Sequence, residues 1–512
     1  MKYMIKTVDL TKKFGDFTAN DHIQLNVLPC EIKCIVGENG AGKTTLMNML
    51  YGMLEPTEGK IFIRDEEVRM KSPVDAIRNG IGMVHQHFML VPSLTVFENV
   101  MLGNEIEKYG VLINKKSEVE KVSALMQKYH FDLDPMEKVE NLSVGSRQRV
   151  EILKMLYRDV SILILDEPTA VLTPQETDEL IADLKELKNQ GKTIIIITHK
   201  LREVMDASDS VTVIKGGRTV GSMLTRDTNE RELAQLMVGR DVVLTQQNNH
   251  YTPRNAEKIY EVRNLTTENI FGKQVVHAVS FEVHKGEILG IAGVEGNGQS
   301  ELVKLLSGLM KATEGTVSFE GKDITNMWPD KIRKAGIGII PEDRYAQGLC
   351  RQMSLGDNCI AGYHDKPPVN KYNLLQRKKI NLKRDEMIHK YDIRVGDING
   401  NVATLSGGNA QKIIVARELS EHPRLLIACQ PTRGIDIGSI EVIHKRLLEY
   451  KAGGNSIILI SSELTEIMSL SDRVIVMYKG QISGEVEPQQ TSMTEVGLLM
   501  AGIHTDMEGQ KK

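Results

Sequence analysis

The sequence lacks the features that mark secreted and membrane-spanning proteins. Its 512 residues contain five cysteines, which form no CxxC pair and no cluster with histidine. Scattered cysteines in an odd number argue against a disulfide framework or a zinc site and suit a reducing cytosol, with Cys34 as a small apolar residue in a buried strand. The first residues, MKYMIKTVDL, contain no apolar stretch like that of a secretory signal. Strictly apolar runs such as Ile194–Ile197 span a few residues, whereas a membrane helix needs about 18, so we expect that the chain crosses no bilayer by itself.

The sequence also lacks an excess of basic charge. It has 64 Lys and Arg against 68 Asp and Glu, a net charge of −4 and a pI of about 6.4. This balance argues against a nucleic-acid-binding surface and against attraction to an anionic membrane. The composition, 41% apolar and 26% charged, is that of a soluble globular protein. Because the chain is too long for one hydrophobic core, we expect about two to four domains.

The most informative stretch is a glycine-rich loop between an apolar strand, predicted at Ile32–Val36, and a helix that starts near Lys43. Residues 37–45, GENGAGKTT, match the pattern G-x-x-x-x-G-K-[ST]. Such loops turn backbone N–H groups toward phosphates at a helix N-terminus, whose partial positive charge attracts anions. Lys43 is expected to reach the outer phosphates of a nucleotide, and Thr44 to ligate Mg²⁺. The predicted nucleotide-binding residues of this loop are Gly37, Glu38, Asn39, Gly40, Ala41, Gly42, Lys43, Thr44 and Thr45.

Phe14 lies upstream of the loop, in the sequence KKFGD. An aromatic side chain there could stack on a purine base, so Phe14 is a candidate nucleotide contact. Spacing alone leaves a second interpretation open, in which Phe14 is a core or edge aromatic.

Acidic and polar residues follow two apolar strands further along the chain. The strand predicted at Ser161–Leu165 runs into Asp166 and Glu167, and the strand at Thr193–Ile197 is followed by His199. Ligand groups gather at the carboxyl ends of the strands in such sheets. Asp166 is expected to hold Mg²⁺, and Glu167 to polarise a water for in-line attack on a γ-phosphoryl group. His199 could hold that water or the γ-phosphate.

Gln86 ends a third predicted strand, residues 80–86, and could reach the metal or the water. The catalytic candidates are therefore Glu167, His199 and Gln86, and the metal candidates are Thr44, Gln86 and Asp166. An acidic pair that only caps a turn is the alternative for Asp166 and Glu167, and the phosphate loop makes it less attractive.

The pattern recurs in the second half of the chain. The loop GVEGNGQS at 293–300 begins 256 residues after Gly37, and LSGGN at 405–409 lies 263 residues after LSVGS at 142–146. Strands that alternate with helices predict an α/β fold with a mainly parallel sheet in each copy, and residues from about 88 to 150 are expected to be mostly helical. We predict tandem domains at 1–240 and 257–512, joined by a polar linker at 241–256.

These motifs in this order resemble the ATPase domains of ABC transporters. The phosphate loop is joined by ILILDEPT (162–169), ITH (197–199) and, in the second half, LSGGN (405–409) followed by Gln411. The resemblance covers nearly all of both halves and implies two tandem P-loop ATPase domains, each with a helical subdomain. It also implies that each ATP is bound between the phosphate loop of one domain and the signature loop of the other. The implied signature contacts are Ser406, Gly407, Gly408 and Asn409.

The two halves differ at the residues that carry the chemistry. The second half has Gln299, Cys429, Gln430, Ser462 and Glu342 where the first has Lys43, Asp166, Glu167, His199 and Gln86. The first half departs instead in its signature, where SVGS stands for SGGN. Pairing the domains head to tail gives one site every intact element and the other site every substitution. We therefore predict one hydrolytic site and one degenerate, mainly nucleotide-holding site, made of Gly293, Gly296, Gly298, Gln299, Ser300, Ser143 and Gly145.

Within the ABC family, four stretches are most similar to nucleoside importers of the carbohydrate type: GIGMVHQHFML (80–90), VEILKMLYR (150–158), AGVEGNGQSEL (292–302) and QPTRGID (430–436). Ribose and galactose importers are the alternative. The resemblance implies ATP and Mg²⁺ as cofactors, and transmembrane permease subunits fed by a substrate-binding lipoprotein as partners. It places the chain peripherally on the cytoplasmic face of the membrane, without a nucleic-acid partner, and leaves open whether the domains pair within one chain or between two.

The sequence disfavours two other function classes. Soluble ABC ATPases that act on ribosomes typically have two competent sites and a long charged linker between the domains. This sequence has one degenerate site and a short linker, which disfavours that class. A non-catalytic nucleotide-binding scaffold is disfavoured by the presence of Glu167.

Overall fold

A computed structural model describes residues 2–38, 40–85, 88–105, 107–108, 112–169, 172–239, 246–253, 256–268, 274–294 and 296–503. The chain divides into two compact units, Met1–Val242 and Val243–Lys512. The domain limits predicted from the sequence, 1–240 and 257–512, remain predictions in their detail, because residues 240–245 and 254–255 lie outside the described part.

The first unit alternates strands and helices. Its strands are β1 Ile5–Phe14, β2 Phe17–Ile23, β3 Asn26–Val27, β4 Ile32–Val36, β5 Glu58–Ile63, β6 Glu66–Val68, β7 Ile81–Val84, β8 Glu107–Lys108, β9 Leu112–Ile113, β10 Ile162–Asp166, β11 Thr193–Ile197, β12 Ser210–Lys215 and β13 Arg218–Leu224. Its helices are α1 Lys43–Leu50, α2 Pro73–Arg78, α3 Val96–Met101, α4 Lys115–Lys128, α5 Val144–Tyr157, α6 Pro174–Asn189, α7 Leu201–Ala207 and α8 Glu230–Val238.

The second unit repeats this order. Its strands are β14 Lys258–Glu268, β15 Gln274–His284, β16 Ile288–Ala292, β17 Glu314–Phe319, β18 Lys322–Asp323, β19 Ile337–Ile340, β20 Asn370–Lys371, β21 Leu374–Leu375, β22 Leu425–Cys429, β23 Ser456–Ile460, β24 Arg473–Tyr478 and β25 Gln481–Val486. Its helices are α9 Gln299–Leu306, α10 Pro329–Ala335, α11 Leu355–Cys359, α12 Arg377–Lys390, α13 Gly407–Ser420, α14 Ile437–Ala452, α15 Leu464–Leu470 and α16 Met493–Met500.

The main sheet of the first unit has the order β13-β12-β4-β11-β10-β7, with every neighbouring pair parallel except β12 and β13. β4 and β11 are buried along their whole length. Such continuous apolar runs are typical of central strands in a parallel sheet. Because Asp166 is in register with Ile197 and Ile197 with Ile35, the carboxyl ends of β10, β11 and β4 lie side by side. This alignment brings the acidic pair and His199 next to the phosphate loop.

The second unit has the equivalent sheet, in the order β19-β22-β23-β16-β24-β25, again antiparallel only at its last pair. The α/β fold with mainly parallel sheets, predicted from the sequence, is therefore confirmed in both units. Each unit also has an antiparallel sheet that the sequence analysis did not describe, β2-β1-β5-β6 with β3 on β1 in the first unit and β15-β14-β17-β18 in the second.

The first antiparallel sheet has a break between β2 and β3. The apolar residues from Ile23 to Leu28 do not form one continuous strand, because β2 ends at Ile23 and the two-residue β3 begins at Asn26. The Thr7 side chain accounts for the break, because its hydroxyl donates to the carbonyl of Ile23 at 3.0 Å and accepts from the N–H of Leu25 at 2.8 Å. The Thr7 hydroxyl thus bonds this segment beside the backbone bond from the Thr7 N–H to the carbonyl of Leu25 at 2.9 Å, which apolar spacing cannot show.

The region from 88 to 150 is helical only in part. It contains α3, α4 and the start of α5, with the small hairpin β8–β9 between α3 and α4. α5 begins at Val144, where Ser143 caps it by accepting from the N–H of Ser146 at 3.1 Å. Within the described residues no helix is both long and apolar enough to cross a membrane.

Residues 246–253, in the predicted linker, pack on the second unit. Asn248 is buried, and its amide nitrogen donates to a carboxylate oxygen of Asp472 at 3.2 Å. Lys451 donates to the side-chain oxygen of Asn248 at 2.9 Å and to Asp472 at 2.7 Å. This part of the polar linker is therefore a fixed edge of the second unit.

Candidate functional site

The phosphate loop has the strand–loop–helix geometry that its sequence predicts. β4 ends at Val36 and α1 begins at Lys43, with Gly42 before it at φ 98°. A side chain at Gly42 would be strained in this left-handed conformation, and its Cβ would lie 2.5 Å from the carbonyl oxygen of Ala19. Thr44 and Thr45 lie in the first turn of α1, where N–H groups without intrahelical partners face an incoming anion.

Lys43 is buried and donates to the carbonyl oxygens of Gly37 at 2.6 Å and Glu38 at 3.0 Å. Burial lowers the pKa of its ammonium group, partly offset by the negative charges of Glu167 and Asp166. A buried ammonium with two carboxylates close by is the charge arrangement needed to accept a phosphate and a divalent cation together.

Asp166 ends β10 and is partly buried. Burial and the neighbouring Glu167 raise the pKa of Asp166 to about 6, against the opposing effect of Lys43. A carboxyl group with an elevated pKa gains stabilisation when a cation binds, so the donor chemistry of Asp166 and the Thr44 hydroxyl fits Mg²⁺. Within the described residues no cluster of three or more His, Cys, Asp or Glu side chains could hold a metal. Mg²⁺ typically binds through one or two carboxylates together with substrate phosphates.

Glu167 and His199 form a pair. Nδ1 of His199 lies 2.9 Å from Oε1 of Glu167, and the N–H of Glu167 donates to the carbonyl oxygen of Ile197 at 2.9 Å. Burial alone would raise the pKa of Glu167, but the His199 hydrogen bond, the His199 charge and the cations Lys43 and Lys200 outweigh it and hold the pKa below its usual range. Glu167 is therefore an ionised carboxylate beside the phosphate loop.

A third acid, Glu203 of α7, was missed by the sequence analysis. It is buried, and it accepts hydrogen bonds from the hydroxyls of Thr169 at 2.6 Å and Thr198 at 3.2 Å. These two threonines flank the Glu167–His199 pair along the chain. Its only sequence signal is a carboxylate four residues after His199. That signal becomes informative only when the position of α7 behind the site is known.

The remaining candidates of the first unit have mixed outcomes. Phe14 ends β1 opposite Phe17 in a hairpin and is 48% exposed, with the ammonium group of Lys12 5.3 Å from its ring centre. This exposure rules out the core interpretation, and stacking on a base stays a prediction. Gln86 and Asn39 lie outside the described residues, so their predicted roles stay predictions as well.

The signature loop of the second unit caps a helix. Ser406 precedes α13 and accepts from the N–H of Asn409 at 3.4 Å and from its side-chain amide at 3.0 Å. At Gly408 a Cβ would lie 2.4 Å from the Ser439 hydroxyl. Gly407 is in the first turn of α13. A serine, two glycines and a helix N-terminus suit an anion, and contact with nucleotide stays a prediction for Ser406, Gly407, Gly408 and Asn409.

The second unit keeps the backbone of the site but not its charges. Gln299 begins α9 after Gly298, which has φ 100°, and a Cβ at Gly293 would lie 2.1 Å from the Gln299 side-chain nitrogen. Gly296 and Ser300 keep their places in the loop and the helix. Gln430 accepts from the backbone N–H and the hydroxyl of Ser462, both at 3.1 Å. The Gln430–Ser462 contact replaces the Glu167–His199 pair with neutral groups.

Cys429 ends β22 where Asp166 ends β10, and burial raises the pKa of its thiol far above its usual range, with a smaller contribution from Glu342. A buried, protonated thiol is a poor ligand for Mg²⁺.

The altered signature loop of the first unit has its own contacts. The N–H of Gly145 donates to Glu176 at 3.2 Å, and Ser143 caps α5. The degenerate site predicted from Ser143, Gly145 and the second loop stays a prediction.

Comparison with known proteins assigns the chain to a family. A family model described as "ABC transporter" matches residues 20–170 and 276–433. The chain is 45% identical over 499 residues to the nucleoside import ATP-binding protein NupA of Lactococcus lactis subsp. cremoris, and 45% identical over 502 residues to the guanosine import ATP-binding protein NupO of Bacillus subtilis; each alignment covers 98% of both chains. Among solved structures, the archaeal ribosome recycling factor aABCE1 in complex with the ribosomal stalk protein aP1 matches 98% of this chain and 95% of that chain, with a TM-score of 0.61 and 18% identity, which shows the fold alone.

The matches in both halves agree with the two phosphate loops, the acidic strand end and the signature helices described above. The chain therefore belongs to the ABC transporter family, as an ATPase with two tandem P-loop domains.

Proposed function

We propose that this chain is the ATP-hydrolysing subunit of a nucleoside importer and that hydrolysis takes place in the first unit. The observation that carries the proposal is the Glu167–His199 pair, 2.9 Å apart at the ends of two adjacent strands beside the buried Lys43. The equivalent positions of the second unit have Gln430, Ser462 and Gln299. One unit thus has a base, its orienting partner and a phosphate-binding cation, and the other has none of the three.

The residues of the first unit divide the chemistry among them. Lys43 and the loop N–H groups bind and orient the ATP phosphates, and Mg²⁺, when bound, neutralises part of their charge. Glu167 accepts a proton from a water whose oxygen bonds to the γ-phosphorus, while the bond from that phosphorus to the bridging oxygen of ADP breaks. His199 orients Glu167 through the hydrogen bond at Nδ1. Thr44, Asp166 and Gln86 are the proposed metal ligands of this site.

The signature residues Ser406–Asn409 are proposed to complete this site, and Ser143 and Gly145 to complete the degenerate one. We further propose that the degenerate site holds nucleotide without comparable turnover, since Gln299 and Cys429 supply neither a cation nor a carboxylate. The proposed partners are a pair of transmembrane permease subunits and, through them, a substrate-binding lipoprotein, with this chain bound peripherally on the cytoplasmic face of the membrane.

The catalytic part is tested by steady-state ATP hydrolysis. Glu167→Gln should lower the turnover number by about 10²–10⁴, the range for loss of a positioned base, with MgATP binding retained. Gln430→Glu is the matched change in the second unit and should not create a comparable activity, because Gln299 and Cys429 remain. Equal losses from changes in either phosphate loop would contradict the assignment.

The cargo part rests on the 45% identity to two nucleoside-type import proteins over 98% of the chain. Cells lacking this chain should take up less radiolabelled uridine, adenosine or guanosine, and the wild-type chain, unlike Glu167→Gln, should restore the uptake. A loss of ribose or galactose uptake with normal nucleoside uptake would contradict the nucleoside cargo and indicate a sugar importer, while the ATPase proposal would stand.

A further inference from the structure

We infer that Glu203 is a positioning residue for ATP hydrolysis, which holds Glu167 and His199 in their mutual geometry from behind the site. The inference rests on the proposed hydrolytic role of the first unit. Glu203 lies on α7, four residues after His199, and is 9% exposed. It has no place in the chemistry described above, so its burial needs a separate reason.

Glu203 closes a ring of bonds around the catalytic pair. One of its carboxylate oxygens accepts from the hydroxyl of Thr169 at 2.6 Å, and the other accepts from the hydroxyl of Thr198 at 3.2 Å. Thr169 is two residues after Glu167, and Thr198 is the residue before His199. The Glu167–His199 hydrogen bond at 2.9 Å completes the ring. Hydrogen bonds therefore connect the segments after β10 and β11 at two places. One is the Glu167–His199 bond on the reacting side, and the other runs through Glu203 behind it.

The two carboxylate oxygens of Glu203 match the two threonine hydroxyls. Each of its two oxygens accepts one of the two hydroxyl protons, and Thr169 and Thr198 are 4% and 2% exposed, so water does not compete for them. Lys200 supplies a nearby counter-charge, with its nitrogen 3.6 Å from Glu203 and 3.2 Å from the carbonyl oxygen of Thr169. The backbone N–H of Lys200 also donates to the hydroxyl of Thr198 at 3.0 Å. The segment after β11 is therefore fixed in direction by several bonds.

The second unit contains the same parts with the ring open. Glu466 is the counterpart of Glu203, and it accepts from the hydroxyl of Thr432 at 2.8 Å. Its same oxygen lies 2.8 Å from Nε2 of His444, while its other oxygen is buried without a hydrogen-bond partner among the described residues. Ser461, the counterpart of Thr198, accepts from the N–H of Glu463 at 3.0 Å, as Thr198 does from the N–H of Lys200, but among the described residues its hydroxyl makes no bond to Glu466. The closed ring therefore accompanies the Glu167–His199 pair, and the open ring accompanies the neutral Gln430–Ser462 contact.

The two units provide a matched test of positioning against general stability. Glu203→Leu removes both hydroxyl contacts, and Glu466→Leu makes the same change in the second unit. Glu203→Gln keeps the shape and two hydrogen-bonding atoms, and since a threonine hydroxyl can either donate or accept, it can keep both contacts. We expect Glu203→Leu to lower the turnover number about 10–100-fold, the cost of a displaced catalytic group, with the dissociation constant for MgATP changed by less than about threefold. Glu203→Gln should stay within about threefold of wild type, and Glu466→Leu should lower turnover less than about threefold.

The expected result is a loss in turnover at retained MgATP affinity, rescued by glutamine and confined to the first unit. Unchanged turnover in a folded Glu203→Leu protein would overturn the inference. Equal losses in Glu203→Leu and Glu466→Leu, or a loss of MgATP binding together with turnover, would overturn it as well, because each indicates a structural role. If the leucine variants do not fold, the near-isosteric pair Thr169→Val and Thr432→Val takes their place, with a loss expected only for Thr169→Val. Failure of the proposed function is recognised separately, as a Glu167→Gln protein with wild-type turnover.

Discussion

Glu167 and Gln430 occupy equivalent positions and share an unusual backbone conformation, with φ 47° and 49°. A residue other than glycine in this left-handed region costs on the order of 1–2 kcal/mol. Both residues are held there by a backbone hydrogen bond to the end of the neighbouring strand, to Ile197 at 2.9 Å and to Ile460 at 2.7 Å. The backbone conformation at this strand end is therefore the same in both units. Only the side chain determines whether the position has a catalytic base.

Asp166 shows a conflict between function and stability at the residue scale. Its pKa is raised to about 6 in the folded protein, first by burial and then by Glu167. A raised carboxyl pKa means that the folded chain binds a proton more tightly than the unfolded chain, so this group reduces stability progressively as the pH rises toward 6, and the loss is complete above it. We expect Asp166→Asn to raise the unfolding free energy of the nucleotide-free protein at pH 7.5 by on the order of 1–2 kcal/mol. One pKa unit corresponds to about 1.4 kcal/mol, and the total is reduced because solvent screens this partly exposed group.

Thermal unfolding of wild type and Asp166→Asn at pH 7.5 and pH 5 measures this. The stabilisation should shrink at pH 5, where the wild-type carboxyl is mostly protonated, and the variant should lose Mg²⁺-dependent turnover at both pH values. A destabilised Asp166→Asn protein at pH 7.5 would contradict the expectation.

At the scale of elements, residues 246–253 form an edge of the second unit that has no counterpart among the described residues of the first. Asp472 accepts from Lys451 at 2.7 Å and from the N–H of Thr252 at 2.8 Å, and its side chain is 4% exposed. The corresponding pair of the first unit, Lys188 and Asp209, is equally close at 2.7 Å but has side chains 29% and 40% exposed. The same ion pair is thus a buried anchor in one unit and a surface contact in the other.

Lys451→Met should release this segment, because it leaves the buried Asp472 carboxylate without its cation. Hydrogen exchange should become faster at the amides of Asn248 and Thr252, and the second unit should lose on the order of 3–5 kcal/mol of stability. Lys188→Met is the matched control and should cost less than about 1 kcal/mol, the range for exposed pairs. Unchanged exchange in residues 246–253 of Lys451→Met would show that the anchor does not hold them.

The elements also show what the sequence can and cannot predict. β4 and β11 have the bounds that their apolar spacing predicts, because buried strands leave local signals. The break before β3 depends on a hydroxyl from β1, and the anchoring of Asn248 depends on Lys451 more than 200 residues later. Glu203 was missed for the same reason. Long-range polar contacts determine these features, and neither composition nor periodicity records them.

At the scale of the whole molecule, the open question is what the chain docks on. From the resemblance to ABC importers, we expect the permease to contact this chain near residues 86–90 and 342–348. Gln86 lies outside the described residues, but Met89 is 60% exposed, while its backbone is fixed by Glu151, which accepts from its N–H, and by Lys154, which donates to its carbonyl at 3.2 Å. An exposed apolar side chain on a fixed backbone suits a protein interface, since little ordering entropy is lost on binding.

Met89→Glu should therefore weaken association with the permease subunits, because it would desolvate a charge in an apolar contact. The isolated chain should keep its ATPase activity, since Met89 takes no part in the proposed chemistry. Met136→Glu is the matched control, with a similar exposure of 57%, and should leave association unchanged. The measurement is co-purification of the tagged chain with its permease from detergent extracts, with ribosomes assayed alongside at physiological salt.

Because the chain has a net charge of −4, we expect no salt-sensitive binding to ribosomal RNA. Submicromolar ribosome binding without any permease would reject the importer and place the chain among the soluble ABC ATPases.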